Sequence, residues 1–145
     1  MLERVVFADI EEALVDYLTA ELADLADTAA VVTRIPEPRP ARMVRVARND
    51  RKARLDVEDR EGRRGAHLAF DRPRIVVECT DDAGSAAMLA ANVRAIVTSL
   101  APGYIGEIWC DSVEDAGGEN DTDPQTDAPR YTAIFDLIVR GKILA

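Results

Sequence analysis

Two stretches of this chain repeat apolar residues at helical steps, and most of its other apolar runs alternate in twos. That mixture restricts the fold to helices packed on a sheet. Over Asp9–Leu25, Ile10, Leu14, Tyr17, Leu18, Leu22 and Leu25 form one stripe. Over Ala83–Leu100, Ala86, Leu89, Ala90, Val93, Ile96, Val97 and Leu100 form another. Asp9 followed by Glu12 fits a capping box, and Glu11, Glu12 and Asp16 sit in the first turns, where the helix dipole favours negative charge. Asp81 or Asp82 suits the start of the second helix, and Pro102-Gly103 ends it.

Strand patterns cover Val31–Ile35, Arg42–Arg48, Arg74–Cys79, Ile105–Val113 and Tyr131–Arg140. In the last, Tyr131, Ala133, Phe135, Leu137 and Val139 alternate with Thr132, Ile134, Asp136, Ile138 and Arg140, so one face is apolar. Pro36, Pro38 and Pro40 favour an extended connection between the first two strands. The expectation is one α+β domain over residues 1–145: a mostly antiparallel sheet of about five strands, with two helices on one face. Asn49–Gly65 is more ambiguous. Ala53, Leu55 and Val57 alternate with Arg54, Asp56 and Glu58, and Asp59-Arg60-Glu61-Gly62 can turn the chain. Either a solvent-exposed loop or an extended β-hairpin arm satisfies that pattern.

Charge is segregated. The chain carries a net charge of −9. Met1–Ala30 is acidic, Arg34–Arg74 is basic, and between Asp111 and Asp127 lie Asp111, Glu114, Asp115, Glu119, Asp121, Asp123 and Asp127 without a Lys or Arg. Residues 114–128 are expected to form a long acidic loop that projects into water, because like charges this close repel. A basic band beside an acidic tip suits head-to-tail association. Nucleic-acid binding is disfavoured, since the overall field repels phosphate and Arg39–Arg64 contains no aromatic on which a base could stack.

Chemistry is sparse. His67 is the only histidine, with no nucleophile in a recognisable motif beside it, and phosphate-loop, dinucleotide and nucleophile-elbow motifs are lacking. Asp121, Asp123, Gln125 and Asp127 alternate somewhat like a calcium loop, but Thr126 replaces the required Gly and Thr132 the bidentate Glu. No enzyme activity, metal or cofactor is expected. Cys79 and Cys110 lie in apolar strand patterns and are expected to be buried free thiols, with a disulfide between neighbouring strands as the alternative. The N-terminus lacks a basic region followed by an apolar core, and charges break every long apolar stretch. Synthesis in a cytoplasm and no membrane span are therefore expected.

Three segments, with the Asp9–Leu18 helix, carry a resemblance. They are Arg42-Met43-Val44-Arg45-Val46-Ala47-Arg48 before a charged segment, then Asp71-Arg72-Pro73-Arg74-Ile75-Val76-Val77-Glu78-Cys79 followed by Ala86–Leu100, then Pro129-Arg130-Tyr131-Thr132 through Leu137-Ile138-Val139-Arg140-Gly141. In order, length and phrasing they resemble tail terminator proteins of long-tailed bacteriophages, especially those infecting actinobacteria. The family pattern has a Gly-Gly pair after the second strand, where this chain has Asn49-Asp50.

The resemblance implies a structural virion protein, made in the host cytoplasm and located at the head-proximal end of the tail. Its copies form a ring, usually a hexamer, that stops growth of the tail tube, meets the head-tail connector protein and lets DNA pass without specific binding. On that view Glu114, Asp115, Glu119, Asp121, Asp123 and Asp127 line or rim the lumen. Arg48, Arg51, Lys52, Arg54, Arg60, Arg63 and Arg64 form an arm that contacts the tail tube protein or a neighbouring subunit. A head-completion or connector ring protein is one alternative, and a small soluble α/β ligand-binding regulatory domain is another.

Overall fold

The computed structural model describes residues 4–50, 70–124 and 127–143. Strand β1 (Val5–Val6) precedes helix α1 (Ile10–Asp24), followed by strands β2 (Ala30–Val32), β3 (Arg42–Arg48), β4 (Phe70–Asp71) and β5 (Arg74–Asp81). Helix α2 (Ala86–Ser99) leads to β6 (Gly103–Ile105), β7 (Ile108–Thr122), β8 (Pro129–Arg140) and β9 (Lys142–Ile143). The main sheet runs β2-β3-β5-β8-β7-β6, with β4 also paired to β8, while β1 and β9 form a separate ribbon. Among the described residues only β2 and β3 run parallel, and every other pairing is antiparallel. The expected α+β class therefore holds, with more strands than the sequence pattern marks.

Period-two patterning puts alternate residues on opposite faces. One face buries Val44, Val46, Ile75, Val77, Cys79, Ala133, Phe135, Leu137 and Val139. Against it lie Ile10, Leu14, Leu18 and Leu22 of α1, and Leu89, Ala90, Val93, Ile96 and Val97 of α2. Asp9 caps α1, its carboxylate accepting the Glu12 backbone N–H at 3.2 Å. The start of α2 differs from expectation. Ser85 is its N-cap residue, and Asp81 ends β5, accepting from the Ala83 N–H at 2.8 Å and from the Ser85 hydroxyl. Cys79 and Cys110 are both free and buried.

The largest correction concerns residues 114–128. They do not form a long loop: β7 continues through Thr122, paired with β8 as far as Thr122↔Pro129. Gly117 and Gly118, which resemble loop punctuation, form a bulge where the register shifts between Asp115 and Gly118. A Cβ at Gly118 would lie 2.6 Å from the Thr132 carbonyl oxygen, so the strands approach too closely there for any side chain. The actual connection is 123–128, closed by the Asp123 N–H donating to the Ala128 carbonyl at 2.8 Å. Ile105 likewise belongs to β6, separated from Ile108 by a tight turn with Gly106 at φ 61°.

Candidate functional site

The sheet face opposite the helices carries charge. Arg45 of β3 lies directly across from Glu78 of β5 and donates to it at 2.8 Å. Arg130 of β8 donates to the other Glu78 oxygen at 3.0 Å and grips Asp121 of β7 through two nitrogens, at 3.0 and 2.7 Å. The result is an ion-pair ladder, Arg45–Glu78–Arg130–Asp121, that crosses four strands. Further along, Arg74 donates to both oxygens of Asp136 at 2.7 and 2.6 Å.

Cross-strand pairing also explains why the acidic run folds. Asp111 accepts from Arg140 at 3.1 and 2.8 Å, Asp115 from Arg94 at 3.1 and 2.7 Å, and Asp123 is paired with Arg39. The bonds from Arg130 hold the Asp121 carboxyl below the usual carboxylate range. Burial pushes Asp115 up, but the bonds from Arg94 and from the Gly117 N–H outweigh it and leave it lowered. Repulsion within the run is thus offset by cations from distant segments. Asp123 is only 4% exposed, so the first residue of the connection is buried at the sheet end, while Pro124 and Asp127 are exposed.

Of the acidic residues assigned to a lumen, Glu114, Glu119 and Asp127 remain exposed, and their side chains make no hydrogen bond or ion pair with the described residues; the Asp127 backbone N–H donates to the Asp123 carbonyl at 2.8 Å. Asp127 takes φ 59°, a left-handed conformation that Asp tolerates better than most residues. Beyond Cys110, β7 has no strand partner on its outer side among the described residues. An open edge invites pairing with other chains, and charges with a bulge discourage it. The acidic run is therefore an edge strand protected by its own side chains.

Arg48 does not point outward as an arm residue. Its guanidinium donates to Asp71 at 2.7 and 2.9 Å and to Asp50 at 2.8 Å, and these partners hold it more strongly protonated. Its backbone N–H donates to Glu11 at 3.2 Å. Arg48 thereby ties together the two chain ends that flank residues 51–69. The other arm residues, Arg51, Lys52, Arg54, Arg60, Arg63 and Arg64, lie outside the described residues, as does His67.

A second cationic centre, unmarked by any motif, sits where β3 begins. Arg42 grips Asp27 at 3.0 and 2.6 Å, donates to the Ser85 hydroxyl oxygen at 2.6 Å and pairs with Asp81. Hydrogen bonds from Arg42 hold Asp27 below the usual range, and those from Ser85 and the Ala83 N–H do the same for Asp81.

At the same end of the sheet, on the charged face, an open cleft of about 460 Å³ is lined by Thr33, Arg34, Ile35, Arg39, Met43, Arg45, Glu78, Thr80, Asp123, Pro124 and Arg130. Its floor includes the cross-strand row Met43, Thr80 and Arg130. Sequence reasoning missed this constellation. The available signal was a polar residue at mid-strand in apolar runs: Arg45 between Val44 and Val46, and Glu78 between Val77 and Cys79.

Among the described residues, no group of three or more His, Cys, Asp or Glu is placed to hold a metal ion, and no helix is long and apolar enough to cross a membrane. Comparison with protein-family models and with curated proteins finds no match.

Proposed function

We propose that the chain is the protomer of a tail-terminator ring, a structural virion protein that caps the head-proximal end of a phage tail tube and meets the head connector. The resemblance of the Arg42–Arg48, Asp71–Leu100 and Pro129–Gly141 segments supports this reading. The observation that carries it furthest is the form of the sheet. Helices cover one face, while the other face and the acidic β7 edge are open to neighbours. Ring closure requires unlike patches on each subunit, and a helix-covered side opposite an uncovered charged face offers two unlike surfaces.

Within the ring, the exposed edge acids Glu114, Glu119 and Asp127 face the channel. Duplex DNA carries about one negative charge per 1.7 Å of axis, so such a rim repels it and lets it slide. Because Asp115, Asp121 and Asp123 are held by arginines, the exposed three contribute most of that field. The segment 51–69, clamped at its base by Arg48, reaches the tube.

Two substitution sets test these roles in the assembling phage. Replacing Glu114, Glu119 and Asp127 with Lys is expected to leave rings intact and slow genome ejection; failed ring assembly would place the edge in the subunit interface instead. Deleting Lys52–Arg64 is expected to preserve folding and abolish tube capping, read as tails of uncontrolled length. Tails of normal length would remove the role given to the arm.

A further inference from the structure

We propose that the cleft on the charged face binds a small organic oxyanion, a carboxylate or phosphate monoester carried on an apolar body. The first observation is Thr80. It is 4% exposed, lines the cleft, and its hydroxyl has no hydrogen-bond partner among the described residues. A buried hydroxyl is ordinarily paired, so a ligand group that reached this one would supply a missing bond.

The second observation is the arrangement of cations. Arg34, Arg39, Arg45 and Arg130 line the cleft with Glu78 and Asp123, and Asp121 stands against Arg130. A guanidinium has about five N–H donors. Arg130 spends its nitrogens on Asp121 and Glu78. Arg45 gives one nitrogen to Glu78, and Arg34 makes no hydrogen bond or ion pair within the described residues. Arg34 is exposed where it lines the cleft, so its donors and those left on Arg45 belong to the same cleft as Thr80.

The third is shape and lining. A volume of about 460 Å³ accommodates a small organic molecule, and Ile35, Met43 and Pro124 supply apolar contact. Met43 is 2% exposed and forms part of the floor beside Thr80. An oxyanion with an apolar body satisfies both halves of the lining. A polyanion does not, because Glu78, Asp121 and Asp123 stand beside the cations and the whole chain is negative. The site belongs to the single protomer and does not depend on ring assembly.

The test is an NMR titration of the full chain with three separate probes: phenyl phosphate, inorganic phosphate and phenol. Phenyl phosphate is expected to bind saturably and shift the amides of Arg34, Arg45 and Thr80. Inorganic phosphate should bind more weakly, and phenol should not saturate. Arg34→Ala is expected to weaken phenyl phosphate on the order of tenfold with unchanged Tm, since Arg34 holds nothing within the described fold. Thr80→Val is expected to weaken it too, while leaving Tm equal or higher, because it removes an unpaired buried hydroxyl. Absence of saturable shifts at the cleft, saturation by phenol alone, or affinities in both variants equal to the parent would overturn the assignment.

Discussion

The two faces of the main sheet use the same strands for opposite purposes. On β8, Phe135 is fully buried against the helices, while its neighbour Asp136 is held by Arg74 on the other face. On β5, Val77 joins the core and Glu78 joins the ladder to Arg45 and Arg130. The apolar face supplies most of the folding energy, since burial of large side chains dominates it. The charged face, partly open to water, contributes little net stability per pair and much more specificity. Core burial and cross-strand ion pairing are thus separated by one residue step along β5 and β8.

Phe135→Ala is the most damaging change expected. It should cost about 3–5 kcal/mol in urea unfolding, through lost burial and a cavity that the two helices cannot fill. Asp136→Asn, one residue away, should cost no more than about 1 kcal/mol. Equal losses at the two positions would break the contrast between faces.

Arg42→Met should fall between them, at about 3 kcal/mol, because it leaves Asp27 and Asp81 in place without their cation. The pH dependence follows from the lowered carboxyls. Their folded-state values lie below the unfolded value, so their stabilisation is complete at neutral pH and is lost as pH falls through the carboxylate range, below about pH 4. Melting temperature against pH should be flat near neutrality and fall in acid, with a weaker fall in the Arg42→Met protein.

The thiols sharpen the picture of the core without altering it. Burial pushes Cys79 up to about 12 and Cys110 up to about 11. Neither should react with a thiol reagent at pH 8 until the protein unfolds, because the thiolate is the reactive form. Fast reaction of the native protein would mean that the helix-covered face opens readily.

The smallest stability effect is expected at the β7 edge. Glu114→Val with Glu119→Val should change stability by no more than about 0.5 kcal/mol. It should nevertheless promote self-association, measured by light scattering, because the edge loses two of its guarding charges.

The same contrast explains what the sequence made legible. Both helices, β3, β5, β8 and nearly the whole core face follow from apolar spacing, since burial acts directly on that spacing. In the acidic run local charge shows only repulsion, because the stabilising partners, Arg39, Arg94, Arg130 and Arg140, belong to other segments. Glu119 and Asp121 were already spaced in twos, which is strand periodicity written in charged residues instead of apolar ones. Gly117-Gly118 signalled a turn equally well as a bulge. The cleft was illegible for a similar reason: Arg34, Thr80 and Arg130 meet only after the sheet has formed.

Imaging the purified chain by negative-stain electron microscopy, with its mass measured in solution, tests the proposed function most directly. The account expects a closed ring of identical subunits around a hole wide enough for duplex DNA. A compact monomer or dimer with no central opening would contradict it.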